Sequence, residues 1–309
     1  MWFKNLSIYR LNQRFEHSAE ELAERLAEFA FQPVGRTEQV TRGWVAPLPG
    51  GETLVHAAGG QYLVCLQEES RLLPAAVIRE TLDERVAERE EAEYRKLGRK
   101  EKNRLKEEIT LELLPRAFTR SKRLYAWIDT RNGYLVVDTS TWRQAEELTE
   151  LLRACLGTLP IQPMATDSNP QPIMTDWLVK QSEPADVELG DEAVFEDPQN
   201  EGAEVRCKRL DLHSGEISAH IKAGKLVRRL ALTWDERMSF VLDADLSVKR
   251  LKFLDVVQEG NEDYTPESAA ERFDADFSIM TLELGRFLPR LADLFGGEAQ
   301  RDNATAATG

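Results

Sequence analysis

The sequence predicts an α+β fold of several domains, in an elongated protomer with two α+β units and a projecting long helix. The chain has 309 residues, whereas a single hydrophobic core stops growing at roughly 250 to 300 residues. Runs of strand-like alternation and helix-like periodicity occur both before and after a polar, proline-containing stretch at residues 165–172. A long, highly charged helical pattern lies within the first half.

The N-terminal α+β unit is predicted to cover residues 1–73. Residues 2–10 alternate between apolar and polar side chains, as in a strand. Ser18 and Glu21 have the spacing of a capping box, which opens the amphipathic helix ELAERLAEFAF. Further strands, separated by glycine and proline turns, are predicted at residues 44–45, 53–58 and 62–67.

Residues 74–122 are predicted to begin with one long helix. The helical pattern runs from about residue 74 to residue 106 and is interrupted only by Gly98. Its apolar side chains are too few for a helix buried on all sides, so we expect it to project from the body and pack against a partner. The spacing is not a strict heptad, which argues against a long coiled coil. The narrow apolar stripe consists of Leu82, Val86, Tyr94, Leu97 and Leu105.

A hairpin and a helix are predicted for residues 123–164. The β-patterned runs RLYAWIDT and YLVVDT flank Arg131, Asn132 and Gly133, and an Asn-Gly pair between two such runs is a strong hairpin signal. A helix follows near residues 141–156 and ends at Gly157, which suits a left-handed C-terminal cap. Residues 165–172, ATDSNPQP, are typical of a linker.

The C-terminal α+β unit is predicted to cover residues 173–296. Its last helix, near residues 277–295, contains Pro289, which should kink or split it. Residues 297–309 have the composition of a disordered tail. The remaining elements are strands near 192–196 and 203–210, a helix near 214–222, and three strands in KLVRRLALTW, MSFVLDA and VKRLKFLD.

Composition excludes several classes of protein. Hydrophobic residues make up 42% and charged residues 30%, as in a globular protein with a well-solvated surface. No apolar run approaches the roughly 20 residues needed to span a bilayer, and the N-terminus lacks a signal-peptide pattern, so we expect a cytoplasmic protein. Cys65, Cys155 and Cys207 lie far apart and have no zinc-ligand spacing. We therefore expect reduced cysteines and no metal or cofactor.

The distribution of charge favours nucleic-acid binding although the net charge is −14. Residues 95–106 carry seven bases and one acid, and residues 206–229 carry seven bases and two acids. The acids are pooled in residues 181–204 and 255–276. Such segregation would leave one surface basic enough to attract phosphate. For any single run, the alternative is an ordinary solvated face.

Distinctive segments occur along nearly the whole chain. They are MWFKNLSIYRL, FAFQPVG, GWVAPL, LLPRAF, WIDTRNGYLVVD, KRLDL, KRLKFLD and RFDADFSIMT. In this order and spacing, from residue 2 to about residue 301, they resemble the recombination-associated RdgC proteins of proteobacteria. The resemblance implies a homodimer closed into a ring whose positively lined hole holds duplex DNA without sequence preference. It also implies a non-enzymatic, nucleoid-associated protein that restrains RecA-driven strand exchange.

The resemblance assigns roles to particular residues. Phe118, in LLPRAF, corresponds to a dimer contact, although on the residues alone a core position is the favoured interpretation. The family's basic loop corresponds to Lys208 and Arg209, and Leu210 stands where the family has a polar residue, so a hydrogen bond from that position to DNA is in question. The basic clusters add further DNA-binding candidates: Arg116, Arg120, Lys122, Arg123, Lys222, Lys225, Arg228 and Arg229. Strand alternation would place the last two on opposite faces, so only one is expected to face DNA.

Two other functions remain open on the residues alone. A Mg²⁺-dependent nuclease would need paired carboxylates, and Asp243 with Asp245, or Asp274 with Asp276, are pairs of suitable spacing. Both pairs also suit turns or a helix start, where aspartate is favoured. A structural adaptor built on the long helix would bind no DNA. Neither a P-loop nor a nucleophile-base pattern around the four histidines is present.

Overall fold

The computed structural model describes residues 1–200, 202–258 and 268–299. These residues form a mixed α+β structure with two sheets and eight α-helices, which confirms the α+β part of the predicted fold class. All pairings between the named strands are antiparallel. No helix in these ranges is long and apolar enough to cross a membrane.

The first sheet has seven strands. They are β1 (Ser7–Leu11), β2 (Val40–Val45), β3 (Val55–Ala58), β4 (Gln61–Leu72), β5 (Phe118–Asp129), β6 (Tyr134–Val137) and β7 (Ile161–Pro163). The spatial order is β2-β4-β5-β6-β1-β7, and β3 pairs with β4 outside this path. The predicted boundary between residues 122 and 123 falls inside β5, so segments assigned to three predicted units share this sheet.

The second sheet has five strands in the order β12-β11-β10-β8-β9. They are β8 (Val187–Glu196), β9 (Glu204–Lys208), β10 (Leu226–Trp234), β11 (Met238–Asp243) and β12 (Val248–Phe253). The helices are α1 (Ala19–Ala27), α2 (Ala75–Ala92), α3 (Arg99–Leu113), α4 (Trp142–Leu156), α5 (Pro170–Lys180), α6 (Gly215–Lys222), α7 (Asp255–Gln258) and α8 (Ala269–Asp293).

Helix α8 joins the two sheets through one apolar core. The ring of Phe287 lies 5.4 Å from that of Trp234 and 5.0 Å from that of Phe240, both in the second sheet. Nearer the N-terminus of α8, the ring of Phe277 lies 5.1 Å from that of His56 in the first sheet. Helices α1 and α4 cover the other face of the first sheet in a second core. The first sheet is therefore held in place by helices that pack against both of its faces.

Three local predictions are confirmed. Ser18 and Glu21 form a reciprocal capping box at the start of α1. The β5–β6 hairpin closes over the Asn-Gly turn, with Gly133 at φ 76°. Helix α4 ends at Gly157, whose φ of 79° suits a residue without a Cβ.

The predicted single long helix is wrong, because the chain turns back between α2 and α3. Tyr94 has φ 49°, which a right-handed helix cannot contain, and its side chain is 96% exposed rather than part of an apolar stripe. Arg85 of α2 and Glu112 of α3 form an ion pair of 2.7 Å, so the two helices run side by side. Gly98 caps the second helix instead of interrupting the first.

Two further predictions for the C-terminal half need correction. Residues 170–172 of the predicted linker begin α5, where Asn169 accepts a hydrogen bond from the Gln171 amide at 3.0 Å. Pro289 does not split α8, which is one continuous helix from Ala269 to Asp293; a proline removes only one backbone donor, and core packing offsets that loss. Of the predicted tail, residues 300–309 lie outside the described residues, while Ala299 donates to the Ala165 carbonyl at 3.0 Å.

Candidate nucleic-acid interface

The outer halves of β4 and β5 extend past the end of β6; we call residues 68–72 and 116–123 the arm. The two strands pair over their full length, from Gln61 with Asp129 to Leu72 with Phe118. Strand β6 pairs only with residues 126–129, so the arm part of β5 has no neighbouring strand on that side within the described chain. Five arm residues of one strand span about 17 Å at roughly 3.3 Å per residue.

The cations of the arm have no carboxylate partners. Arg116 lies in a short 3₁₀ helix just before β5, and Arg120, Lys122 and Arg123 follow within the strand. All four side chains are exposed. None forms an ion pair with any residue that the structure describes. Their charges are therefore available to an external anion.

The neighbouring carboxylates already have other partners. Glu68 lies opposite Lys122 in the register, but its Oε2 is 2.7 Å from Arg42 Nε. Glu69 accepts a hydrogen bond from the Val34 amide at 2.7 Å. Neither of these two acids therefore forms an ion pair with an arm cation.

Phe118 is a surface residue. Its side chain is 84% exposed, which rules out the core position that the residues alone favoured. The opposite residue, Leu72, is 48% exposed, and Val40 lies on the next strand opposite Ser70. Alternation places Val40, Leu72 and Phe118 on one face. The three side chains therefore form an exposed apolar patch on that face.

Arg228 and Arg229 lie on the same side of the second sheet, contrary to the alternation expected from the sequence. A bulge shifts the β10–β8 register between Val227 and Arg229. Val227 and Leu230 both point into the core, so the two arginines between them both point outward. Arg229 Nε is 2.5 Å from Asp243 Oδ2, and Arg228 NH1 is 2.7 Å from Glu204 Oε1.

Asp243 is the most enclosed carboxylate on this outer face. Burial opposes its ionisation, but hydrogen bonds from Lys249 at 2.9 Å and from Arg229 outweigh that effect and hold the pKa of Asp243 below its usual value. Sequence reasoning did not select Lys249. Its contact with Asp243 joins β12 to β11. An antiparallel pairing of these two strands, predicted from the sequence, could have placed Lys249 near Asp243.

The other predicted bases of the C-terminal half divide into two groups. Lys208 Nζ is 3.8 Å from Glu192, and Lys225 Nζ is 3.6 Å from Asp197. Arg209 and Lys222 are exposed and make no ion pair within the described ranges. Arg209 has φ 53°, so the chain turns sharply directly after β9. Of these four bases, only Arg209 and Lys222 resemble the arm cations in being exposed and free of ion pairs within the described ranges.

The basic run at residues 95–106 is partly neutralised. Hydrogen bonds from Lys96 and from the Leu97 amide lower the pKa of Glu90 to about 2, and hydrogen bonds from Arg95 and the Gly98 amide lower that of Glu101 to about 2. These contacts tie the turn between α2 and α3 to the helices. They account for three of the seven bases in the run, Arg95, Lys96 and Lys102.

The carboxylate pairs considered for a metal have other partners. Asp243 binds Arg229 and Lys249, and Asp245 accepts hydrogen bonds from the Trp142 indole and the Ser247 amide. Asp274 Oδ1 lies 3.2 Å from His56 Nε2. Asp276 binds the Met1 ammonium at 2.5 Å. Over the described residues no group of three or more potential ligands is suited to hold a metal ion.

Comparison with known proteins identifies the family. A family model described as "Putative exonuclease, RdgC" matches residues 1–298. The chain is 53% identical over 298 residues to the recombination-associated protein RdgC of Halorhodospira halophila, covering 96% of this chain and 99% of that protein. This chain belongs to the RdgC family. The sequence resemblance is thereby confirmed.

Other RdgC proteins match over the same extent. The recombination-associated protein RdgC of Tolumonas auensis is 46% identical, with 96% of this chain and 99% of that protein covered. The protein of the same name from Yersinia pestis is 42% identical, with coverage of 97% and 99%. The family is therefore associated with recombination by the names of its curated members, while the family model carries an exonuclease description.

Proposed function

We propose that this RdgC-family protein is a non-enzymatic clamp that binds duplex DNA without sequence preference, encircles it as a homodimer and restrains RecA-dependent recombination. The observation that carries the proposal is the set of four exposed, unpaired cations at the arm, Arg116, Arg120, Lys122 and Arg123. Guanidinium and ammonium groups bind phosphate oxygens whatever the base sequence. Release of counterions from DNA would supply most of the binding free energy.

The bases outside the arm are expected to contribute unequally. Arg209 and Lys222 are free to bind phosphate at once. Lys208, Lys225, Arg228 and Arg229 would first have to exchange a carboxylate for a phosphate. The energy gained by such an exchange is smaller than that gained by a free cation, since an existing attraction is lost.

Phe118 is the proposed dimer contact. An exposed phenylalanine opposite an exposed leucine offers a patch that a second copy would bury. A two-fold contact brings the same patch from each protomer together. A ring made of two protomers needs a second contact as well, so this patch would close only one side of it.

Restraint of RecA would follow from occupancy of the DNA. A protein that encloses a duplex obstructs a recombinase filament on the same segment, and it would concentrate with the nucleoid in the cytoplasm. The name shared by the curated relatives supports a role in recombination. A direct contact with RecA is the alternative route to the same effect.

A Mg²⁺-dependent nuclease is the second candidate, and the description of the family model favours it. Its chemistry would require carboxylates free to hold the metal. Asp245 and Asp274 would have to leave the Trp142 and His56 contacts described above. A single experiment distinguishes the two candidates.

The experiment is fluorescence anisotropy with two unrelated labelled duplexes and one single strand, over a salt series with Mg²⁺ present. We expect similar affinity for both duplexes, a steeply negative slope of log K against log salt, and intact DNA on a gel afterwards. Cleaved DNA would favour the nuclease over the clamp. Absence of binding even at low salt would contradict the clamp and favour a structural adaptor.

A further inference from the structure

Arg71 holds together three segments at the outer end of the arm. This residue lies in β4, opposite Thr119 of β5. Its guanidinium donates to the Gly35 carbonyl from Nε at 3.2 Å and from NH2 at 3.1 Å. It also donates to the carbonyls of Leu114 at 3.1 Å and Ala117 at 3.3 Å. A fifth bond, of 3.5 Å, reaches the Val34 carbonyl.

All of these acceptors are backbone carbonyls. Arg71 has no carboxylate partner among the residues that the structure covers. The planar guanidinium group of Arg71 therefore bridges the Val34–Gly35 loop and the segment that joins α3 to β5. Lysine cannot reproduce this arrangement, because its donors radiate from a single nitrogen.

One of the acceptors lies at the C-terminal end of α3. Leu114 is the C-cap residue, and the last carbonyls of a helix have no partner within it. The Leu114 carbonyl also accepts the Ala117 amide at 3.1 Å, and a positive group at this end interacts favourably with the helix dipole. Arg71 thus links β4 to the end of α3 and to the segment that leads into β5.

A second side chain of β4 reinforces the contact from the same face. Glu69 Oε2 accepts the Val34 amide at 2.7 Å, and Glu69 Oε1 lies 3.4 Å from the Ser121 hydroxyl. Alternation places Glu69 and Arg71 on one side of β4. The two residues form a clasp between the Val34–Gly35 loop and the arm.

We propose that Arg71 is a positioning residue for the DNA-binding arm. The residues that it contacts, Leu114 and Ala117, lie on either side of Arg116, and Ala117 immediately precedes Phe118. The clasp sets the position of the first arm cation and of the apolar patch, while Arg71 itself has its donors occupied and contacts no phosphate. This inference rests on the proposed function of the arm.

The test uses the full-length Arg71→Lys variant, with Arg79→Lys as the matched control. Both changes keep the charge, and Arg79 is exposed on α2 without an ion pair in the described structure. We expect amide hydrogen exchange in Arg71→Lys to accelerate about tenfold or more in peptides covering residues 33–39 and 112–118. Exchange in the second sheet and in the Arg79→Lys variant should match the unsubstituted protein.

The salt dependence of DNA binding then separates positioning from stability. An unfolded fraction lowers the apparent affinity by a factor that does not depend on salt, whereas loss of a phosphate contact flattens the slope by about 0.9. We expect the slope for Arg71→Lys to flatten by about 0.9 to 1.8, which corresponds to one or two lost phosphate contacts. The slope for Arg79→Lys should stay unchanged. Glu69→Gln, which weakens the same clasp less severely, should show a smaller change in the same direction.

The outcomes distinguish this inference from the proposed function. Unchanged hydrogen exchange in both peptides would overturn the clasp. Accelerated exchange with an unchanged slope would make Arg71 purely structural and overturn its positioning role. If the unsubstituted protein binds no DNA, the proposed function fails and the positioning role fails with it, while hydrogen exchange still decides whether the clasp exists.

Discussion

The arm and the outer face of the second sheet are both rich in bases but differ in what surrounds them. Arg116, Arg120, Lys122 and Arg123 have no carboxylate within ion-pair distance in the described chain. On the second sheet, Lys208, Arg228 and Arg229 each contact at least one. Counting bases along the sequence treats the two regions alike. Only the structure shows which cations have carboxylate partners.

Strand neighbours explain the difference. In the second sheet, the inner strand β8 and the edge strand β9 place Glu192, Glu196 and Glu204 beside the bases of β9, β10 and β12. In the arm, the acids of β4 are engaged by Arg42 and by the Val34 amide. The acids of the arm therefore form no direct ion pair with the arm cations, whereas those of the second sheet do.

The largest effect should come from removing the arm charges together. Substitution of Arg116, Arg120, Lys122 and Arg123 by glutamine should weaken duplex binding at least about 100-fold near 0.1 M salt, because up to four phosphate contacts are lost. Anisotropy measures the loss. The matched control replaces Arg14, Arg25, Arg143 and Lys180, which are exposed elsewhere and change the net charge equally. Equal weakening in both variants would mean that net charge alone matters.

The apolar patch of the arm should govern self-association. Phe118→Asp places a charge where a second copy would bury a large aromatic side chain, so the dimer Kd should rise at least about 30-fold. Sedimentation velocity over a concentration series gives this value. Val179→Asp is the control, since Val179 is 56% exposed on α5, away from the arm. An unchanged dimer Kd for Phe118→Asp would remove this patch from the interface.

Two adjacent residues allow the same comparison within one loop. Lys208 is held near Glu192 at 3.8 Å, whereas Arg209 is unpaired in the part of the chain that is described. Arg209→Gln should flatten the salt slope by about 0.9, and Lys208→Gln by less than about half of that. Anisotropy over a salt series for both variants provides the measurement. The reverse order would show that ion pairs on the second sheet do not hinder phosphate binding.

The smallest effect concerns pH. A hydrogen bond from Arg206 lowers the pKa of Glu204, and hydrogen bonds from Lys249 and Arg229 overcome burial to lower that of Asp243. Both groups should stay ionised and paired from pH 8 to about 5.5, so the salt slope should not change over that range. Because their folded pKa values are depressed, their stabilising effect is complete above the unfolded pKa of about 4. It is lost as the pH falls through the folded pKa. A slope that steepens by pH 5.5 would contradict this account.

The sequence predicted the local structure well where the determinants are close together. The capping box of Ser18 and Glu21, the Asn-Gly hairpin and the Gly157 cap each depend on residues within a few positions of one another. The helical hairpin was missed because its turn is stabilised by Glu90 and Glu101, which bind Arg95, Lys96 and the Leu97 amide by side-chain contacts that a periodicity does not show.

The candidate site was only partly predictable for a similar reason. The identity of the arm cations follows from the sequence. Whether Glu68 pairs with one of them depends on Arg42, which binds Glu68 although it is 26 residues away in the chain. Arg71 carried no sequence signal, since its acceptors Leu114 and Ala117 are 43 and 46 residues away. The outward position of both Arg228 and Arg229 results from a bulge, and nothing in their spacing indicated one.

The most direct test compares salt slopes for two quadruple variants on the same duplex. The first replaces Arg116, Arg120, Lys122 and Arg123 with glutamine, and the second replaces Arg206, Lys208, Arg228 and Arg250, which all have carboxylate partners. We predict that the arm variant flattens the slope by about 3 and the second-sheet variant by less than about 1. A second-sheet variant that flattens the slope as much as the arm variant, or more, would contradict the claim that free cations on the arm hold the DNA.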